Sequence, residues 1–271
     1  MKFQDHKLRA NRWVFFALLL CLSIGLYSCS SSKPEKRTYT IARDLTWYPL
    51  DFMGKDSNML GFIDDLIIAV GKETDLDINL AFTTSNAMMN GLNSGLYDGV
   101  VTSLMPTSIT KLEYNFSEPL MRVGAVLVVH QDSDIRKLIE LEEKEIGIDR
   151  GSAAAFDTVR FPSVTIVPYE NNMDALEDLS QHAVDGVIMQ VIPASIYINS
   201  FFKDELKVAT QPLTDLALRV VMKSNKGNQK FLKVFDEGIT AIKESGLYDA
   251  LIKKWGLFNP ESVEQEVEIE M

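Results

Sequence analysis

Between Tyr39 and Trp255, short β-prone runs alternate with stretches of helical periodicity. The β-prone runs fall at Tyr39–Ala42, Ile78–Phe82, Gly99–Thr102, Ala125–His130, Glu145–Ile148, Thr165–Val167, Gly186–Met189 and Leu216–Met222. The spacing predicts a helix over 61–74, with Phe62, Leu66, Ala69 and Val70 on one face, and another over 86–94, with Met88, Met89 and Leu92 inward. Further helices are expected at 152–160, at 171–180, from Pro193, over 228–245 and over 247–255; proline suits a first helical turn. A repeated β–α–β order implies an α/β chain, mostly of parallel strands with helices on both faces.

Composition narrows the function. Hydrophobic residues at 46% and charged residues at 24% are too apolar a mixture for a disordered chain. A net charge of −11 repels phosphate backbones, so no nucleic-acid partner is expected. Cys21 and Cys29 alone cannot build a disulfide framework or a four-thiolate zinc site. His6, His130 and His182 are scattered and give no metal-ligand spacing, so no metal or other cofactor is expected. The chain has no GxSxG, GxxxxGK[ST], HExxH or GxGxxG pattern. Gly71-Lys72 reads as a helix end, Met88-Met89 as core packing, and the adjacent Asp64-Asp65 as a solvated helix face with a capping contribution.

The N-terminus reads as an address. Residues 1–12 carry Lys2, Lys7, Arg9 and Arg12, and the apolar run over 13–26 is short of the ~20 residues of a membrane span. A basic start and a short apolar run form an export signal. Leu26-Tyr27-Ser28-Cys29 resembles a lipobox, which implies a signal over 1–28, lipidation of Cys29 and a membrane anchor; the alternative is an uncleaved N-terminal anchor with an incidental cysteine. Residues 29–37, small, polar and proline-containing, read as a tether. Residues 259–271 form an acidic tail.

Four stretches resemble the bacterial extracellular solute-binding proteins of family 3, the polar amino-acid type. They are TIARDLTWYPLDF at 40–52 with Gly61-Phe62-Ile63-Asp64-Asp65-Leu66; Asn90-Gly91-Leu92 through Asp98-Gly99; Asn115-Phe116-Ser117-Glu118-Pro119; and Gly246-Leu247-Tyr248 through Lys254-Trp255-Gly256. The resemblance covers 38–258. It implies a two-lobed, type II periplasmic-binding-protein fold, with two mixed sheets joined by two hinge crossovers. Lobe 1 would comprise 38–119 and 220–258, and lobe 2 would comprise 125–212. The implied function is an extracytoplasmic, monomeric capture protein for a small polar solute. It would deliver to the permease and ATPase of an ABC importer, which are separate chains. A dehydratase of the cyclohexadienyl type resembles the same fold and would need a cleft carboxylate, Asp44 or Asp149, as general acid or base. A sensor or scaffold that has lost amino-acid binding is a third reading.

The resemblance also implies the cleft residues: Asp44, Trp47, Ser85, Ser103, Met105, Thr110, Arg150, Ser152 and Gln190. The alternative readings are a turn-forming Asp44 and a hinge-packing Trp47, and the resemblance favours ligand contact for both. Two departures from the family pattern matter. Thr110 stands where the family places the arginine that grips an α-carboxylate, with Met105 five residues before it. Gln190 stands where the family places an aspartate for the α-amino group. The loop over 149–153, with Arg150 and Ser152, leads to a helix N-terminus that would favour an anionic group. Arg150 either replaces the missing arginine or faces solvent at a strand end. If Cys29 carries the lipid, Cys29→Ser should move the protein from the membrane to the soluble fraction on membrane flotation. Unchanged partitioning, with residues 1–28 intact by mass spectrometry, would refute the anchor.

Overall fold

Two mixed sheets share the strands of this computed structural model, which describes residues 36–44, 58–150 and 164–262. Cys29, the leader, most of the tether, Trp47, Ser152, the helix expected at 152–160 and the end of the tail lie outside the described residues.

The first sheet is built from β1 (Thr38–Asp44), β2 (Asp77–Thr83), β3 (Gly99–Thr102), β4 (Tyr114–Phe116), β5 (Met121–Arg122) and β11 (Ala217–Lys223). Its order is β2-β1-β3-β11-β4, with β5 also paired to β11. The second sheet takes β6 (Ala125–His130), β7 (Glu145–Asp149), β8 (Thr165–Tyr169), β9 (Gly186–Gln190) and β10 (Leu206–Val208), in the order β10-β6-β9-β7-β8. Both sheets are less parallel than the β–α–β order implies. β11 runs antiparallel to β3, β4 and β5, and β6 runs antiparallel to β9 and β10. The chain switches sheets through extended segments instead of helices, so the entering strands arrive reversed. β4, β5 and β10, each two or three residues long, carry too little periodicity to be read from sequence.

Seven α-helices lie among the described residues: α1 (Asn58–Thr74), α2 (Ser85–Ser94), α3 (Thr110–Glu113), α4 (Asn172–Ser180), α5 (Val191–Phe201), α6 (Lys226–Glu244) and α7 (Leu247–Lys254). None of the described helices is long and apolar enough to cross a membrane. α5 begins at Val191, two residues before Pro193, directly from the end of β9.

α1 places Phe62, Ile63, Leu66, Ile67 and Val70 fully out of solvent, each stabilising the fold by about 1.5–3 kcal/mol. α6 lies against α1 through Phe231, Phe235, Ile239 and Ile242. The close approach needs Gly238, where a Cβ would sit 2.6 Å from the Thr74 side chain and 2.9 Å from that of Val70. Phe231 meets Tyr39 of β1 with ring centroids 4.2 Å apart, and Tyr248 of α7 meets Phe62 edge to face at 5.5 Å. The last helices therefore seal the sheet that holds the first strand.

Asp64 and Asp65 are not a solvated face. Adjacent positions on a helix point about 100° apart, so the two carboxylates serve different partners. Arg43 of β1 is buried and grips both oxygens of Asp64 through Nε and Nη2. Its Nη1 donates to the Ala81 carbonyl at 2.9 Å, and its guanidinium lies 4.2 Å from the centre of the Phe82 ring. Asp65 accepts from Trp255 Nε1 at 2.8 Å and from Lys254 Nζ at 2.5 Å. Burial alone would raise its pKa, but those two donors hold it below the usual carboxylate value. The Trp255 ring covers Gly61, where a Cβ would fall 2.1 Å from the indole.

Removing one partner of a buried pair leaves the other charge uncompensated. Asp64→Ala should therefore cost about 3 kcal/mol, against about 1 kcal/mol for Asp65→Ala at its more exposed pairing. Urea unfolding followed by tryptophan fluorescence measures both. Equal losses would show that the Arg43 pair has no special weight.

Candidate functional site

Two antiparallel segments connect the sheets, and they bond to each other. Leu120 N–H donates to Leu218 O and Val123 N–H to Leu216 O, both at 2.8 Å, while Ala217 pairs with Arg122 and Leu218 with Met121. Arg122 Nη1 donates to Asp215 Oδ1 at 2.8 Å, across the two segments. At Gly124 a Cβ would lie 2.7 Å from Thr214 Oγ1 and 2.9 Å from Thr214 O, so only glycine lets the segments approach this closely.

The first lobe clasps this ribbon. Tyr248 Oη donates to Leu120 O at 3.0 Å, Arg219 Nη1 to Ser117 O at 2.8 Å, and Glu118 N–H to Asp236 Oδ1 at 2.8 Å. Burial pushes the Asp236 carboxyl up to about 6, although the Glu118 N–H favours its charged form. The second lobe holds the other end, where Val191 N–H donates to Gly124 O at 3.1 Å and Leu213 N–H to Ala125 O at 2.7 Å.

In sheets of this kind, ligands bind at the carboxyl ends of the parallel strands. Asp44 ends β1 and is fully buried. It pairs in register with Thr83 at the end of β2 and accepts a hydrogen bond from the Ser85 hydroxyl at the start of α2. Asp44 and Ser85 are thus brought together, with the carboxylate closed off from solvent.

Ser103 and Met105 are exposed on the segment after β3. The Thr110 hydroxyl folds back on that segment, donating to Met105 O at 2.7 Å and accepting from Thr107 N–H at 2.9 Å. It supplies local closure and no charge.

In the second lobe, Arg150 follows β7, and its Nη1 donates to Glu170 Oε1 at 2.7 Å. Both side chains are exposed, so the pair contributes about 0–1 kcal/mol and opens readily. Burial first, and the Asp149 carboxylate second, raise the pKa of the Tyr197 phenol.

Gln190 ends β9, paired with Ala125 at the start of β6. Its Oε1 is buried and has no hydrogen-bond partner. Thr83 Oγ1 and Asn172 Oδ1 share that condition, and they are the other such side-chain atoms among the described residues. All three stand at a carboxyl-end rim: Thr83 at the end of β2, Gln190 at the end of β9, and Asn172 at the first position of α4, just after β8. A buried polar atom without a partner costs about 1–3 kcal/mol, so each of the three lacks a compensating hydrogen bond in the protein. Sequence reading singled out Gln190 but not Thr83 or Asn172. Nothing local separates an orphaned hydroxyl or amide from one that caps a helix, as the neighbouring Asn171 does by accepting from Asp174 N–H at 3.0 Å.

Residues 39–258 match the family described as bacterial extracellular solute-binding proteins, family 3. The chain belongs to this family. The ABC transporter arginine-binding protein 1 of Escherichia coli K12 is 22% identical over 244 residues, covering 88% of this chain and 98% of that protein. The lysine/arginine/ornithine-binding periplasmic protein of the same organism is 25% identical over 261 residues, covering 89% and 96%. The unliganded, open L-cystine solute receptor of Neisseria gonorrhoeae shares the fold, with a TM-score of 0.67, 22% identity and coverage of 82% of this chain and 93% of that chain. Solute-binding proteins of this family are binders rather than enzymes, and they work outside the cytoplasm.

Asp236 yields a pH test for this binding protein. Its folded-state pKa is raised, so its native form favours the proton. That contribution is complete below about 4 and is lost as the pH rises through about 6. Asp236→Asn is neutral throughout. It should gain about 1–2 kcal/mol over the parent at pH 8, after discounting for partial exposure, and the gain should shrink at pH 4–5. Urea midpoints at the two pH values measure this. A gain that does not change with pH would show that folding does not raise the pKa of Asp236.

Proposed function

We propose that this chain is the capture subunit of an ABC importer and binds an amino acid or a close derivative without transforming it. Residues 38–119 with 220–258 form one closing lobe and 125–212 the other, with the paired crossovers as the hinge. The protein works as a monomer, anchored through lipidated Cys29, and hands its small polar ligand to permease and ATPase subunits on separate chains. Two relatives named for arginine or for lysine, arginine and ornithine support the substrate class.

The carrying observation is the set of three unpartnered oxygens, Thr83 Oγ1, Asn172 Oδ1 and Gln190 Oε1. All three are uncharged. The two amide oxygens accept, so they select a ligand that presents N–H donors. Thr110 carries no positive charge for an α-carboxylate, and Gln190 no negative charge for an α-ammonium. A charged hydrogen bond contributes about 1.5–3 kcal/mol, so the loss of both moves a micromolar site toward millimolar.

Calorimetry should therefore find weak binding of the twenty free amino acids and tighter binding of a cationic or blocked derivative or a short peptide. Gln190→Asp should strengthen binding of a free amino acid by about 1.5–3 kcal/mol by restoring a partner for the ammonium. A sub-micromolar parent affinity for any free amino acid would instead mean that Lys111 or Arg150, released from Glu170, holds the carboxylate.

A further inference from the structure

We propose that His130, Asp132 and His182 form a site for a divalent late first-row transition ion, zinc foremost, at the pole of the second lobe remote from the crossovers. The three side chains each offer one ligand atom, and these atoms lie within 4.8 Å of one another. His130 is the last residue of β6, and Asp132 sits in the turn that follows, closed by Ser133 N–H donating to His130 O at 3.0 Å. His182 comes from the far side of α4, where the chain leaves that helix toward β9.

The backbone fixes each ligand. After α4, His182 N–H donates to Leu179 O at 3.0 Å and Ala183 N–H to Asp178 O at 2.8 Å, the closure that helices make with a left-handed residue. That residue is His182, with φ of 60°, at a position glycine fills without strain. The result brings the two imidazoles together with centroids 4.0 Å apart and planes tilted by 35°, and His130 Nδ1 lies 2.6 Å from Asp132 Oδ1.

The donor set selects the ion. Two imidazole nitrogens and one carboxylate oxygen suit zinc, which completes its tetrahedron with water; calcium and magnesium take oxygen ligands. Zinc bonds of about 2.0–2.2 Å set the ligand atoms a little over 3 Å apart, so the His130–Asp132 hydrogen bond opens as the ion replaces the proton between them. The partly exposed His130 and the exposed Asp132 and His182 have room for that shift. Bound there, the ion clips the end of β6 to the α4–β9 connection. β6 spans about 17 Å from His130 to Ala125, which pairs with Gln190, so the clip leaves the solute site clear.

The test uses the full chain in detergent without an affinity tag, with zinc titrated against a chromogenic chelator. The parent should take up one more ion per chain than a His130→Ala/His182→Asn double variant. Affinity should fall at least tenfold for His130→Ala and for His182→Asn, and several-fold for Asp132→Asn. Asn tolerates the left-handed backbone, so His182→Asn keeps the fold while removing the ligand. His6, Cys21 and Cys29 are common to all forms and drop out of the comparison. Zinc should raise the melting temperature of the parent and not that of His182→Asn. No excess uptake by the parent, or equal uptake by His182→Asn, overturns the site.

Discussion

The pairing of the two crossover segments is the constraint on which the rest of the molecule depends. Backbone bonds between 120–123 and 216–218 make a two-stranded ribbon, and the Arg122–Asp215 contact ties its edges. A lone connection could swivel freely. Two connections bonded to each other have less of that freedom and form an axis between the sheets. Tyr248, Arg219 and Asp236 hold the ribbon's near end, and the two segments approach most closely at Gly124. An apolar cluster runs unbroken past this axis, from Phe62 and Leu66 through Leu120, Met121 and Leu218 to Val126 and Val187.

The reversed strands follow from the same constraint. β11 re-enters the first sheet from the ribbon and must run against β3, and β6 leaves the ribbon to run against β9. β1 and β2 pair in parallel because the helix α1 returns the chain between them. The parallel strands set the rim proposed for the solute site, and the ribbon joins the two sheets that carry it. Asp44 is buried against Ser85, and Arg150 is paired with Glu170, while Thr83, Asn172 and Gln190 offer neutral oxygens.

Much of the fold was legible because it is written in periodicity and turn chemistry. Gly61–Thr74 and the helix after Leu216–Met222 stand out from local spacing alone, and each fell within three residues of its observed bounds. The rim was legible in part. Gln190 stands out because the resemblance to the family puts it where an aspartate is usual, whereas Thr83 and Asn172 resemble any capping residue. Arg43 was invisible as a structural ion, since its partner Asp64 lies on a later helix and looks solvated in sequence.

The sequence by itself determined the alternation of strands and helices, the acidic surface, the amphipathic faces that form the core, and the neutral character of positions 110 and 190. These are properties of residues and their near neighbours, and near neighbours are set by covalent order. Only the tertiary structure decided which distant groups meet. It turned Asp64 onto Arg43 and Asp65 onto Trp255, it left three rim oxygens without partners, and it brought His182 beside His130 and Asp132. Such meetings depend on where a chain returns after a whole strand or helix. No local spacing encodes that return, because burying one apolar face against another determines it.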